Sequence, residues 1–227
     1  MQPLTPVIKN IIIINVLLYL ATLALGGNIN GLPLLTAKLG GYYPASPMFQ
    51  PWQIITHMFM HDHHGFTHIF FNMFALYMFG STLERVWGAK RFLIYYTVTG
   101  LGAFFLHQFV NGFMIFQATG SFFTDINQLP NIPAAYSYIM PVVGASGAVF
   151  GILLGFGVLF PNTQLMLLFP PIPIKAKWFV MGYGAIEFYL AFQNNPGDNV
   201  AHFAHLGGML FGYLLLKKWQ KERNHFY

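Results

Sequence analysis

The sequence predicts an all-α membrane protein, a polytopic bundle of six transmembrane helices. Three observations predict it. The 227 residues are 56% hydrophobic and 18% aromatic but only 7% charged, where a soluble domain carries about 25% charge. Six apolar stretches approach the roughly 20 residues that span a bilayer. If all six cross, ten of the eleven Lys and Arg fall on one side of the membrane.

Six acids and eleven bases are too few to cover a soluble globule of this size. They are also too few and too dispersed for a nucleic-acid binder, which needs clustered bases in solvent. The expected surroundings are lipid, with no nucleic-acid partner. The absence of cysteine excludes disulfides, thiolate metal sites and a Cys nucleophile. No signal-peptide cleavage site stands out, so the first apolar run reads as a spanning helix.

In chain order the expected spans are residues 8–25, 66–84, 91–116, 144–160, 177–193 and 200–216, within a single domain over 1–227. The second reaches length only if the preceding Gly65-Phe66-Thr67 joins it. The third opens on Arg91 at the bilayer edge, and the fourth is rich in glycine. Spans two, four, five and six are marginal by hydropathy alone, so loop charge is the independent check. Lys9 precedes span one. Arg85, Lys90 and Arg91 lie between spans two and three, Lys175 and Lys177 between four and five. Lys217, Lys218, Lys221 and Arg223 end the chain's apolar part, and Lys38 alone lies opposite. The positive-inside rule then puts both termini in the cytoplasm. The loops 26–66 and 118–143 lie outside, and both are long enough to suggest function.

Spans two, four and six run inward from the outer face, and each opens on unusual polar residues. His68 and Asn72 are four apart and share a helix face. Gly144-Ala145-Ser146-Gly147 opens span four, and Ala201-His202-Phe203-Ala204-His205 opens span six. A rise of about 1.5 Å per residue puts these groups within about two turns of the outer helix ends. A lone Ser or His there reads as packing. A serine with a histidine partner and extra donors is the set of parts acyl transfer requires. Gly147, Gly151 and Gly155 recur every four residues, as do Gly208 and Gly212. Such spacing lets two helices approach closely and would bring Ser146 near a span-six histidine.

These motifs resemble the rhomboid family of intramembrane serine proteases. Gly144-Ala145-Ser146-Gly147 matches its GxSG motif. Residues 204–212 match AHxxGxxxG, and His68 with Asn72 fits HxxxN. The resemblance runs from His57 to Gly212 in the expected order. It implies a Ser–His dyad with no third acid: Ser146 as nucleophile and His205 as base. It also implies an oxyanion hole made of the Ser146 backbone N–H and the side chains of His68 and Asn72. Gly144, His202 and His61 are supporting candidates. His205 is preferred to His202 because its following glycines fall in register, and His202 stays open as the alternative base. The implied substrates are transmembrane segments of other proteins, entering near span five and residues 193–198. The implied location is a bacterial inner membrane, with the site opening to the periplasm. No cofactor or metal is expected.

Two features stand outside that reading. His57, His61, Asp62, His63 and His64 have spacing that could bind Zn, Ni or Cu. They are taken as a polar structural loop, and the resemblance implies that His61 bonds within that first loop and to a water near the dyad. Glu187 in span five is an embedded acid and so a functional candidate, but it is kept out of the chemistry. The rival readings are a non-catalytic rhomboid-like binder of membrane proteins, and a small metal transporter.

Overall fold

The computed structural model describes residues 3–129, 133–166, 171–193 and 201–223. It is mostly helical, and helix occupies each of the six apolar stretches. The first helix, α1 (Pro6–Ala24), begins with proline at its first position, where a missing N–H costs nothing. The Glu84 carboxylate takes up its free amino end, accepting the Val7 and Ile8 N–H groups at 3.0 Å each and the Thr5 hydroxyl. Nothing local in the sequence marks this capping, because Glu84 lies far along the chain.

The first outer segment is ordered. Strands β1 (Asn28–Ile29) and β2 (Leu32–Pro33) form a hairpin through Asn30 and Gly31, both at positive φ, as a tight two-residue turn requires. Short helices α2 (Leu34–Leu39) and α3 (Gln53–Thr56) follow. Next, α4 (Phe66–Ala75) runs through a π-helical segment, Leu76–Gly80, into α5 (Ser81–Trp87). Gly88, at φ +78°, ends that rod and starts α6 (Ala89–Thr119).

Helix α7 covers Ser146–Leu159, two residues shorter at its start than expected. Gly144 has φ +133°, which is not helical backbone. Strands β3 (Gln164–Met166) and β4 (Pro173–Lys175) pair antiparallel before α8 (Ala176–Ala191). Helix α9 (His202–Arg223) outruns its expected span because its basic last turns stay helical.

Helices α6, α7 and α9 form the centre. A Cβ on Gly151 would lie 2.5 Å from Thr99 and 3.0 Å from the Gly208 carbonyl, so the two glycine faces do meet. The Tyr95 hydroxyl donates to the Gly151 carbonyl at 2.8 Å, tying α6 to α7. Outward, the helices are apolar: Leu17, Leu20, Phe105, Phe109, Ile186, Phe188 and Leu214 are exposed, whereas Asn15, Thr99, Gln108, Glu187, His202 and His205 are buried. An exposed apolar surface this extensive is suited to lipid rather than water. By length and composition, α1 and α6 can each cross a membrane, and α7 is a shorter apolar helix.

The two ends of the bundle differ. Arg85 donates to the Pro3 carbonyl at 2.6 Å, the Arg91 guanidinium lies 5.8 Å over Trp219, and the Trp87 and Trp219 rings are 5.6 Å apart. Gly155, far along α7, packs against Trp87. The basic segments thus gather at one end. Ser146, at the other end of α7, lies away from them.

Candidate active site

Ser146 is the first residue of α7, where backbone N–H groups have no partner within the helix. His205 is in the first turn of α9. The close α7–α9 packing brings His205 Nε2 to 2.9 Å from Ser146 Oγ. The imidazole stacks on Phe150, with centroids 4.1 Å apart and planes 10° apart. Phe150 is one turn after Ser146, so α7 supplies both the hydroxyl and the ring that fixes its partner.

Glu187, kept out of the chemistry by the sequence reading, lies against both span-six histidines. Its Oε2 lies 2.9 Å from His205 Nδ1 and 2.6 Å from His202 Nδ1. All three residues are buried. A single sequence gives no signal for this contact: Glu187 is 18 residues from His205 on another helix, and no spacing rule links the two. His202, the alternative base, has its Nδ1 on Glu187, while the ring nitrogen within hydrogen-bond distance of Ser146 Oγ is His205 Nε2.

His68, in the first turn of α4, accepts the Asp62 backbone N–H on Nδ1 at 3.1 Å. A neutral imidazole with an accepting Nδ1 carries its hydrogen on Nε2. That Nε2 lies against Gly144, 3.1 Å from where a Cβ would stand. The Gly144 N–H donates to the His57 carbonyl at 3.0 Å, which fixes the approach to Ser146. Asn72 is buried and donates from Nδ2 to the His68 carbonyl at 2.8 Å, leaving one amide N–H for other use. A cavity of about 20 Å³, lined by His57, Val142, Gly144, Ser146 and Ala204 among others, adjoins the serine. It has room for about one water.

The histidine-rich loop does not form one cluster. His57 and His61 are buried, and burial pushes His57 down to about 4. Burial, with His68 nearby, pushes His61 down to about 3. His61 Nε2 bonds Asn15 Oδ1 on α1 at 2.8 Å, so it braces the loop against a helix rather than against itself. Asp62, His63 and His64 gather at the surface, with His64 Nδ1 2.8 Å from Asp62 Oδ1. Partial burial works against the Asp62 carboxylate, but the His64 hydrogen bonds outweigh it and hold its pKa below the ordinary value. Among the described residues, the other group with metal-ligand atoms close together is Glu187, His202 and His205. The segment 194–200, which includes Asp198, lies outside the described residues.

The Rhomboid domain signature matches residues 48–219. The chain belongs to the rhomboid family. It is 31% identical over 178 residues to YdcA of Bacillus subtilis, a protein named as a rhomboid protease, covering 77% of this chain and 71% of that one. It is 29% identical over 166 residues to the mitochondrial rhomboid protein 1 of Saccharomyces cerevisiae, covering 71% of this chain and 42% of that one. Against the rhomboid protease AarA of Providencia stuartii it is 27% identical over 165 residues, with coverages of 72% and 54%. It therefore spans about half the length of the last two. Rhomboid membership makes this a membrane protein, in keeping with its lipid-suited surface.

Proposed function

We propose that this rhomboid protein is an intramembrane serine endopeptidase that cleaves peptide bonds in or near transmembrane segments of other proteins. One observation carries the reading: Ser146 Oγ and His205 Nε2, on separate helices, stand 2.9 Å apart. Six crossings with both termini cytoplasmic are part of the proposal, supported by the gathering of the basic segments at the end away from Ser146.

In the proposed reaction His205 Nε2 takes the Ser146 hydroxyl proton as Oγ bonds the substrate carbonyl carbon. Charge on the carbonyl oxygen is met by the Ser146 N–H, His68 Nε2–H and Asn72. His205 then gives its proton to the leaving nitrogen as the C–N bond breaks. Water, activated by the same imidazole, releases the acyl group and restores the hydroxyl. Removing one oxyanion donor typically costs about 10²–10³ in rate. The substrate helix must unwind locally to present its carbonyl, so helix-breaking residues should favour cleavage.

The test is cleavage of a tagged single-span protein in vesicles, with the product termini mapped, alongside labelling by a fluorophosphonate. Wild type should cut and label, and Ser146→Ala should do neither. Undiminished cleavage by Ser146→Ala would sink the proposal.

A further inference from the structure

The dyad leaves one buried charge unexplained. Among the described residues of α8 only Ala176, Val180 and Glu187 are buried, and an acid within a lipid-facing helix is costly unless partnered. Glu187 Oε2 takes both histidine Nδ1 atoms, at 2.6 and 2.9 Å. A carboxylate can only accept, so both ring Nδ1 atoms carry the hydrogen. For His205 this has a direct chemical consequence. Its Nε2 becomes the bare nitrogen, and that is the atom 2.9 Å from Ser146 Oγ. In the other tautomer Nε2 would hold a hydrogen and could not take the serine proton.

We propose that Glu187 is a positioning residue for His205, making the site a Ser146–His205–Glu187 triad with His202 as a second donor on the shared oxygen. The inference rests on reading Ser146 and His205 as nucleophile and base. Glu187 fixes the tautomer and the ring's orientation. It also stabilises the imidazolium formed when the serine proton moves to Nε2. The carboxylate stays ionised throughout, and the proton leaves from Nε2 to the departing amine. The separations favour shared hydrogen over a shared metal ion: ligand atoms on one tetrahedral zinc stand about 3.3 Å apart at ordinary bond lengths.

A purely structural role is the competing account, since the same bonds tie α8 to α9. Two variants separate the accounts. Glu187→Gln keeps size and an acceptor but loses the charge, whereas Glu187→Asp keeps the charge but shortens the reach. The full-length protein is assayed in vesicles with a tagged single-span substrate, with thermal unfolding measured in parallel. For Glu187→Gln, kcat should fall by about 10²–10⁴, the scale seen when a triad acid is made neutral, with KM within about twofold. Glu187→Asp should keep the higher kcat of the two. If Gln turns over as fast as wild type, or faster than Asp, the inference is overturned. Ser146→Ala in the same assay guards the underlying reading. If it is inactive while Glu187→Gln is fully active, only the triad falls. If it still cleaves, the protease reading falls with it.

Discussion

Gly208 and Gly147 are in backbone contact: a Cβ on Gly208 would stand 1.8 Å from the Gly147 carbonyl oxygen. Backbone cannot move aside as a flexible side chain can. Gly208→Ala therefore has to push α9 away from α7. Overpacking of this kind costs about 1–3 kcal/mol or more, and the two helices carry Ser146 and His205. The variant should lose thermal stability in detergent and lose cleavage with it. Gly182→Ala is the control, since nothing lies within 4 Å of its would-be Cβ. It should be neutral or gain up to about 1 kcal/mol from helix propensity. Wild-type stability in Gly208→Ala would refute the close approach.

Glu84 anchors the start of α1 through Thr5, Val7 and Ile8. Glu84→Ala leaves those donors without their carboxylate. Hydrogen bonds to charged groups contribute about 1.5–3 kcal/mol each at most, and the N–H groups regain some partners from water at the helix end. The expected loss is about 2–3 kcal/mol, read as a lower unfolding midpoint. Glu84 lies at the end of the bundle away from Ser146, so turnover per folded molecule should hold. A drop in turnover without a drop in stability would contradict this placement.

What could be read from the sequence divides along physical lines. Helix positions follow from apolar runs, and α1, α6 and α8 lie within a few residues of expectation. The approach of Ser146 to a span-six histidine was legible because the small-residue faces of both helices imply close packing, whereas the choice of His205 over His202 rested on the glycine register of the motif it resembles. Glu187 was legible as an embedded acid, but its partners, like those of Glu84, were not. Each reaches a partner on another helix, and nothing local marks an acid as a partner rather than a burden. His61 was assigned to loop contacts, but its partner is Asn15, 46 residues earlier on α1. The loop histidines looked like one cluster in sequence. A short helical turn followed by extended chain divides them, so His57 and His61 turn inward and His63 and His64 lie nearer the surface.

Burial gives His57 and His61 a pH signature. Both lie outside the spanning helices, and both are held neutral in the folded state, near 4 and near 3. In the unfolded chain they titrate near the ordinary value of about 6.5. Below that pH the unfolded state binds more protons, so stability falls as pH drops. Each histidine contributes a loss of up to about 1.4 kcal/mol per pH unit, ending near its folded value. The unfolding midpoint should therefore decline from pH 7 to pH 5. His61→Phe should flatten that decline even though it loses the bond to Asn15. An unchanged slope would mean that His61 takes up its proton while folded.

Gly144 is the strongest local test of the serine's surroundings. Its φ of +133° disfavours any side chain, and a Cβ would stand 3.1 Å from His68 Cε1 and Nε2 and 3.5 Å from Ser146 Oγ. Alanine there strains the backbone by about 1–3 kcal/mol. It also presses on the His68 ring, whose Nδ1 is tied to the Asp62 N–H. Either the ring or the turn into α7 must shift. A displacement of about 1 Å at reacting groups can cost 10²-fold in rate, so Gly144→Ala should lose activity out of proportion to its stability. Gly65→Ala is the comparison. Gly65 precedes α4 at φ −169°, extended backbone that any residue adopts, with only the Thr67 hydroxyl 3.5 Å from its would-be Cβ. It should cleave within about twofold of wild type, as expected for a substitution that introduces no strain. Cleavage assays paired with thermal unfolding separate the two, and equal activity in both variants would show that the Gly144 turn does not set the geometry of the site.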